Sequence, residues 1–360
     1  MSKRVLVISN MYPSRKTPTY GIFVKNQVEA LKQKGLHIDT AVNKDNRSGK
    51  LNLLRKYALW FVKILFALLT KGRKYDVVHA HYIFPSGLPA LFFKKLFGTK
   101  LIVTSHGGDL DQMAKKGGLI RKATEKILLE ADAVIVVGEA LKSEVTGEFG
   151  VPAEKVSVIN MGVDRDVFQP RNANEAKKEL QLSTDKKHIL FVGNHIKAKG
   201  LQELLQAFQD LNVEKAELHF IGSVKDESFL QELKQSIRPE YKEAVHFHGT
   251  KDQAQLAKWM AAADVFVLPS HIEGFGLVAL EAMSCHTPVV GSDVGGLSYL
   301  LRDGTGVLVE PKDADSLRDG IQRVLTEPDL RESMIEKGEA AAKENDSNVL
   351  LERIVTLYET

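Results

Sequence analysis

The chain holds one cysteine, Cys285, and two tryptophans in 360 residues. A lone cysteine rules out an internal disulfide framework and any multi-cysteine zinc site, and it fits a reducing compartment, so a cytoplasmic protein is expected. Nowhere do ~18 apolar residues run without interruption, which removes a transmembrane helix. The opening MSKRVLVISNMYPS has only about five apolar residues behind its basic start, short of a signal-peptide core, and is expected to be a first buried strand. Charge of one sign is scarce as well: 49 Lys+Arg against 46 Asp+Glu leave a formal +3. The basic excess lies between Lys44 and Lys126, too weak and too local for nucleic acid. No strand pattern is followed by Gly-x-Gly-x-x-Gly, which argues against a dinucleotide-dependent dehydrogenase. Short tandem repeats and low-complexity tracts are also missing.

What remains is an ordinary globular composition, 44% apolar and 26% charged, in a chain longer than one hydrophobic core usually serves. Short β-branched runs bounded by turn residues predict strands at Val5–Ser9, Ile38–Val42, Val77–His81, Leu101–Ser105, Ala133–Val137 and Val156–Ile159. Helical patterns such as Phe23–Lys34, Gly87–Phe97 and Ala140–Phe149 fall between them. Alternation of this kind makes a doubly wound parallel sheet. The stretch GVDRDVFQPRNANEAKKELQL is polar, contains Pro170 and lacks an apolar period, so the linker is placed there. Strands resume at Ile189–Val192, Leu218–Gly222, Val245–His248, Val265–Pro269, Val289–Ser292 and Gly306–Val309. The expected architecture is α/β with two Rossmann-like domains, 1–165 and 172–344. The amphipathic end NVLLERIVTLYE, within 345–360, is expected to return and brace the first.

In open parallel sheets ligands bind beyond the carboxyl ends of the strands, where helix N-termini present free N–H groups. Gly21 opens a helix after the first strand and is either an ordinary turn glycine or one that lets a phosphate or sugar approach the backbone. In VTSHGGDLD, His106 with Gly107 and Gly108 directly follows a strand, placed to hydrogen-bond a ligand hydroxyl. His79 and His81, alternating within HAHYIFPSG, are expected to be packed or capping histidines. Lys199 precedes Gly200 and a helix start, which suits a phosphate, with Lys197 as a second cation. In SHIEGFGLVALEAM a strand ends at Pro269 and a helix begins near Gly276, so the N–H groups of Gly276, Leu277 and Val278 can face an anion. Glu273 lies in the loop and Glu281 on the helix. A diphosphate on that helix end makes Glu281 a poor general acid and a ribose its better partner, while Glu273 can meet a sugar.

At these residues the sequence resembles the retaining GT-B glycosyltransferases, which carry Glu, seven residues, Glu in a string like EGFGLVALEAM. The segments YPSRKTPTYGIFVKNQVEAL, DVVHAHYIFPSGLPA, VTSHGGDL, ADAVIVVGEALKSEV, VINMGVDRDVFQP, FVGNHIKAKGLQELLQAF and PVVGSDVGG follow in the family's order across essentially the whole chain. The resemblance implies two domains facing across a cleft, a nucleotide diphosphate sugar donor bound mostly by the second, and an acceptor on the side of the first. It assigns Lys199 to the diphosphate, Glu281 to the ribose, and Glu273 with the Phe275 and Gly276 backbone to the donor sugar. Gly21 would lie beside the phosphates and His106 near the transferred sugar and acceptor. Departures concern the donor: Asn194 follows Gly193 where the family often has arginine, Tyr299 replaces the glutamate of GGxxE, and Asn160-Met161 stands where Pro-Asn is common. UDP-sugars are favoured and GDP-sugars are the alternative. No cofactor or metal ligand is assigned. The Asp109–Asp111 and Asp313–Asp315 triplets mimic an Asp-x-Asp metal motif but are read as chance.

Leu51–Tyr75 is apolar and basic, with Trp60. It can lie on an anionic membrane face or form a core helix with a basic exposed side. In the first case the acceptor is a glycan or a lipid-linked saccharide at the inner face of the cell membrane, in cell-surface polysaccharide assembly. Two rival readings of the chain are a sugar-nucleotide epimerase, marked by turnover without acceptor, and a silent sugar-nucleotide-binding module, which would lack Lys199 or Glu273.

Overall fold

The computed structural model describes residues 3–15, 17, 20–47, 49–107, 109–110 and 118–360; Gly108 and Asp111 lie outside them. The chain divides into two compact units, Met1–Met161 with Val349–Thr360, and Gly162–Asn348. Each holds a six-stranded sheet whose strand pairs are all parallel.

In the first unit the strands are β1 (Arg4–Ser9), β2 (His37–Val42), β3 (Val77–His81), β4 (Lys100–Ser105), β5 (Ala133–Val136) and β6 (Val156–Val158), in the order β2-β1-β3-β4-β5-β6. Its helices are α1 (Ile22–Gln33), α2 (Lys50–Lys71), α3 (Ile83–Phe97), α4 (Gly118–Glu130) and α5 (Glu139–Gly147). Period-two alternation divides β1 between two cores. Val5 and Val7 pack with Val24, Val28 and Leu31 of α1, whereas Leu6 and Ile8 pack in the core that receives Phe93 of α3 and Ile127 of α4. Both faces of the strand are therefore covered, which is why it reads as an unbroken apolar run.

The second unit contains β7 (Lys187–Val192), β8 (Ala216–Ile221), β9 (Val245–Phe247), β10 (Val265–Leu268), β11 (Val289–Ser292) and β12 (Val307–Val309), in the order β12-β11-β10-β7-β8-β9. Its helices are α6 (Ala173–Glu179), α7 (Leu201–Gln209), α8 (Glu227–Gln235), α9 (Gln253–Ala262), α10 (Leu277–Ser284), α11 (Gly295–Leu300), α12 (Ala314–Thr326) and α13 (Pro328–Glu344), and α14 (Ser347–Glu359) then leads back into the first unit. The stretch read as a linker is more structured than its polarity suggests. Asn172 caps α6 by accepting from Glu175 N–H, and Phe168 is buried in the second unit's core. A single aromatic and a seven-residue helix leave no periodic signal to detect.

The last helix joins the first unit through Leu350, Leu351, Ile354 and Tyr358, all buried against β1 and α1 residues. The Tyr358 hydroxyl lies 2.7 Å from His79 Nδ1, and His79 Nε2 lies 2.7 Å from Thr104 Oγ1. His79 is thus a satisfied core histidine that links β3, β4 and α14. Burial lowers it to about 3, so the ring is neutral.

On the opposite face α2 meets the core through Trp60 and Ile64. Its outer side is apolar as well as basic: Leu51 is 85% exposed, Leu54 72%, Phe66 67% and Leu69 76%, and Arg55, Lys63 and Lys71 are exposed among them. No described helix is long and apolar enough to cross a membrane.

Tyr358→Phe leaves His79 Nδ1 buried without its partner and is expected to cost about 1–3 kcal/mol. In a Trp259→Phe background Trp60 is the sole tryptophan and sits in the first unit, so the urea midpoint of its fluorescence should fall. An unchanged midpoint would refute the contribution of this hydrogen bond.

Candidate active site

Reversal of strand order marks the crevice of an open α/β sheet. In the second unit the reversal lies between β7 and β10, and the loops leaving these strands are locked together by backbone contacts. Gly200, in the left-handed region at φ 69°, caps α7, and a Cβ built there would stand 1.9 Å from the Pro269 carbonyl oxygen. His271 N–H donates to the Ala198 carbonyl at 2.9 Å, and the His271 ring meets Glu203 of α7 at 3.0 Å. This packing brings residues 74 positions apart into contact. Lys199 Nζ donates to Glu273 Oε2 at 2.7 Å, and Ser270 Oγ donates to the same oxygen at 3.2 Å.

The Glu273 loop is held from its other side by the turn after β11. Gly296 N–H donates to the Glu273 carbonyl at 3.1 Å. A Cβ at Gly295 would stand 2.1 Å from that carbonyl oxygen, and one at Gly296 would stand 2.3 Å from the Gly274 carbonyl oxygen. The glycine pair of SDVGG therefore acts as a clamp on the loop.

Gly276 at φ 88° turns the chain into α10. Its carbonyl accepts from Ala279 N–H at 2.9 Å. Among the described residues, no backbone acceptor faces the N–H groups of Gly276, Leu277 and Val278, as expected of a helix start. Phe275, just before them, packs partly buried on the core.

Glu281 lies further along α10, and burial pushes its carboxyl up to about 8, so it is mostly protonated at neutral pH. Cys285, one turn on, is pushed up to about 12 by burial and by Glu281. The two glutamates thus differ in kind: Glu273 is tied to a cation, while Glu281 is a neutral carboxyl able both to donate and to accept.

Other sequence candidates are occupied elsewhere. Lys197 pairs with Glu232 of α8 at 3.4 Å and lies over the Phe229 ring. Asn194 Oδ1 accepts from Ser223 Oγ at 2.6 Å. Sequence reasoning missed His195, which is buried among Phe191, Phe220 and Phe247. It also missed Ser270 and the clamping role of Gly295 and Gly296. No local pattern reveals a contact whose partner loop lies some twenty residues away.

In the first unit the strand order reverses between β1 and β3. Gly21, at φ 69°, caps α1, and a Cβ there would stand 2.6 Å from the Met11 carbonyl oxygen. The glycine therefore has a backbone reason of its own. Phe23, two residues on, packs with its ring tilted at 4.6 Å from His106, whose Nε2 lies 3.2 Å from His81 Nδ1. Burial lowers His106 to about 3. Asp109 accepts from Ile83 N–H at 2.8 Å and from Ser105 Oγ at 2.9 Å, so it ties together the turns after β3 and β4. Asp313 caps α12 and Asp315 pairs with Arg318 at 2.6 Å. Each of these aspartates thus has a structural partner.

A family model described as "Glycosyl transferases group 1" matches residues 172–341, and one described as "Glycosyltransferase Family 4" matches 21–167. N-acetyl-alpha-D-glucosaminyl L-malate synthase of Bacillus anthracis is 30% identical over 292 residues, spanning 79% of this chain and 74% of that protein. The chain belongs to the group 1 glycosyltransferases. Within them it is also similar to the putative teichuronic acid biosynthesis glycosyltransferase TuaC of Bacillus subtilis, at 26% identity over 358 residues, covering 89% of this chain and 88% of TuaC. The structure of Anabaena HepE in complex with UDP aligns over 99% of this chain and 100% of that one, with a TM-score of 0.78 at 18% identity. The fold of this glycosyltransferase is α/β GT-B.

The neutral Glu281 gives a signed pH dependence. Its pKa lies above the ordinary 4.5 in the folded chain, so the folded state binds the extra proton and loses that advantage as pH rises from about 4.5 through about 8. Thermal midpoints of Glu281→Gln and of the unsubstituted protein should agree best near pH 4.5. The variant should gain by up to a few kcal/mol toward pH 8 and above. Parallel curves would rule out a raised carboxyl.

Proposed function

We propose that this glycosyltransferase moves a hexosyl unit from a nucleoside diphosphate sugar to a glycan or lipid-linked acceptor, with retention of configuration and without a metal ion. The observation that carries the reading is the convergence at the ends of β7 and β10 of Lys199, Glu273 and the free N–H groups that start α10. As the bond from C1 to the phosphate oxygen breaks, negative charge grows on the departing diphosphate. Lys199 and the oriented amides of α10 stabilise that charge without reorganising, and they supply the positive charge a metal would otherwise bring. The acceptor oxygen bonds to C1 from the leaving-group face and passes its proton to the phosphate oxygen, so no protein nucleophile is needed. Glu273 accepts from hydroxyls of the transferred sugar, Phe275 and Gly276 present backbone to it, and Glu281 takes the ribose. In the first unit Gly21 lies beside the phosphates, and the neutral His106 hydrogen-bonds the transferred sugar or the acceptor. Asn194 supplies a polar contact to the donor, and Lys197 reaches it only by leaving Glu232.

UDP is favoured over GDP as the nucleotide. HepE, the Anabaena neighbour, has been solved with UDP and with UDP-glucose. Cell-surface polysaccharide assembly is favoured by TuaC, named for teichuronic acid biosynthesis.

The α2 helix supports peripheral attachment to an anionic membrane. Its exposed apolar face stands on a helix with five basic and no acidic residues between Lys50 and Lys71. Beside it, a cavity of about 360 Å³ is lined by Lys44, Lys56 and Lys63 and by Asp45, which pairs with Arg47; its net positive lining suits an anionic headgroup or acceptor phosphate.

Lys199→Ala and Glu273→Ala should each lower kcat/KM for the donor by about 100-fold or more while leaving circular dichroism and thermal midpoint near those of the parent. Full activity in either variant would overturn the site. Thermal shifts against UDP-, GDP- and ADP-sugars identify the nucleotide by stabilisation on binding, and UDP-sugar turnover without acceptor would favour an epimerase instead. For the membrane, the Leu54→Glu/Phe66→Glu double variant should lose sedimentation with phosphatidylglycerol vesicles, and the parent should not sediment with phosphatidylcholine ones. Equal sedimentation in all cases would refute attachment through α2.

A further inference from the structure

Away from the active site, the second unit holds a cluster of histidines around one carboxylate on a single face of its sheet. His188 is the second residue of β7, Glu217 and His219 alternate on β8, and His246 lies on the edge strand β9. Register pairs His188 with Glu217, and His219 with His246. His188 Nδ1, His219 Nε2 and Glu217 Oε2 form a triangle with edges of 3.0, 3.6 and 3.7 Å. His246 Nε2 lies 3.6 Å from the same carboxylate oxygen and has no hydrogen-bond partner although it is buried. Four ligand atoms at the ~2.0–2.1 Å of zinc coordination stand about 3.4 Å from one another when tetrahedral. The three edges of the triangle straddle that value; the 3.0 Å edge is also within hydrogen-bond range, and the two to Oε2 are too long for it.

We propose that His188, Glu217 and His219 form a binding site for a divalent transition-metal ion of the zinc class.

The surroundings fit such a site. His188 Nε2 lies 2.8 Å from the Ser183 carbonyl, an acceptor only, so that nitrogen holds the proton and Nδ1 presents its lone pair. Lys186 holds the other carboxylate oxygen, Oε1, at 2.6 Å, which leaves Oε2 to the histidines. His219 Nδ1 stands 3.0 Å from His248 Nε2. When a metal takes His219 Nε2, the proton of that ring moves to Nδ1 and is donated to His248 Nε2, His248 carrying its own proton on Nδ1 instead, with no net change in protonation. Trp259 of α9 covers the cluster at 5.1 Å from His219 and 4.4 Å from His248. His188 lies roughly 13 Å along β7 from the strand's carboxyl end, so the ion would staple β7 to β8 and take no part in transfer.

The test uses the full chain, stripped with chelator and titrated with Zn²⁺ and with Co²⁺. The expected results are one saturable equivalent of Zn²⁺ by calorimetry, a raised thermal midpoint, and the intense visible bands of four-coordinate Co²⁺. Glu217→Gln, nearly isosteric, and His188→Gln should each weaken Zn²⁺ binding by more than about 10-fold with circular dichroism unchanged. No saturable binding by the parent protein, or equal binding by either folded variant, would overturn the site.

Discussion

Three loops of the second unit touch backbone to backbone, and the candidate active site depends on those contacts. Gly200 lies against the Pro269 carbonyl, and Gly295 and Gly296 lie against the carbonyls of Glu273 and Gly274. A methyl group at any of these positions would overlap an oxygen, and three of the four glycines that shape the site, Gly200, Gly276 and Gly295, also hold left-handed dihedrals. Each residue is thereby doubly constrained, by space and by conformation. The result is that Lys199, from one crossover, and Glu273, from another, meet at hydrogen-bond distance on rigid supports. Preorganised charge of this kind is what electrostatic catalysis requires.

The first unit uses a different device. A neutral histidine, His79, is hydrogen-bonded on both sides inside the core, and its Tyr358 partner comes from the last helix of the chain. Next to it, His81 and His106 extend the stack toward the carboxyl ends of β3 and β4. Three rings in a row thus connect the C-terminal helix to the loop that carries a candidate site residue. Only His79 is satisfied at both nitrogens; His81 Nε2 is buried without a hydrogen-bond partner among the described residues.

Much of this was legible in the sequence because buried parallel strands have a simple signature. Strands such as β1 and β10 are apolar on both faces, and their bounding turns stand out. The positions of Lys199, Gly276 and Glu281 relative to strand ends were legible for the same reason. What was not legible required knowledge of register or burial. The ion pair between Lys199 and Glu273 joins residues from two separate crossovers. The neutrality of Glu281 follows from its surroundings, not from its neighbours in sequence. His188, Glu217, His219 and His246 look like scattered polar residues until parallel pairing aligns them, although the alternating ELH and HFH strings are a faint signal of a shared face. Phe168 and α6 were hidden by the polarity of the residues around them.

The Lys199–Glu273 pair has a consequence for selectivity. The two charges neutralise each other, and Glu281 adds none near neutral pH, so the mouth of α10 is almost uncharged as it stands. On the proposed function, an oxyanion that draws Lys199 away strands Glu273 unless hydroxyl groups arrive with it. Inorganic phosphate brings no such hydroxyls, whereas a sugar diphosphate brings both. On that proposal the site is a coincidence detector, answering best to an anion and a polyol presented together and less well to free phosphate.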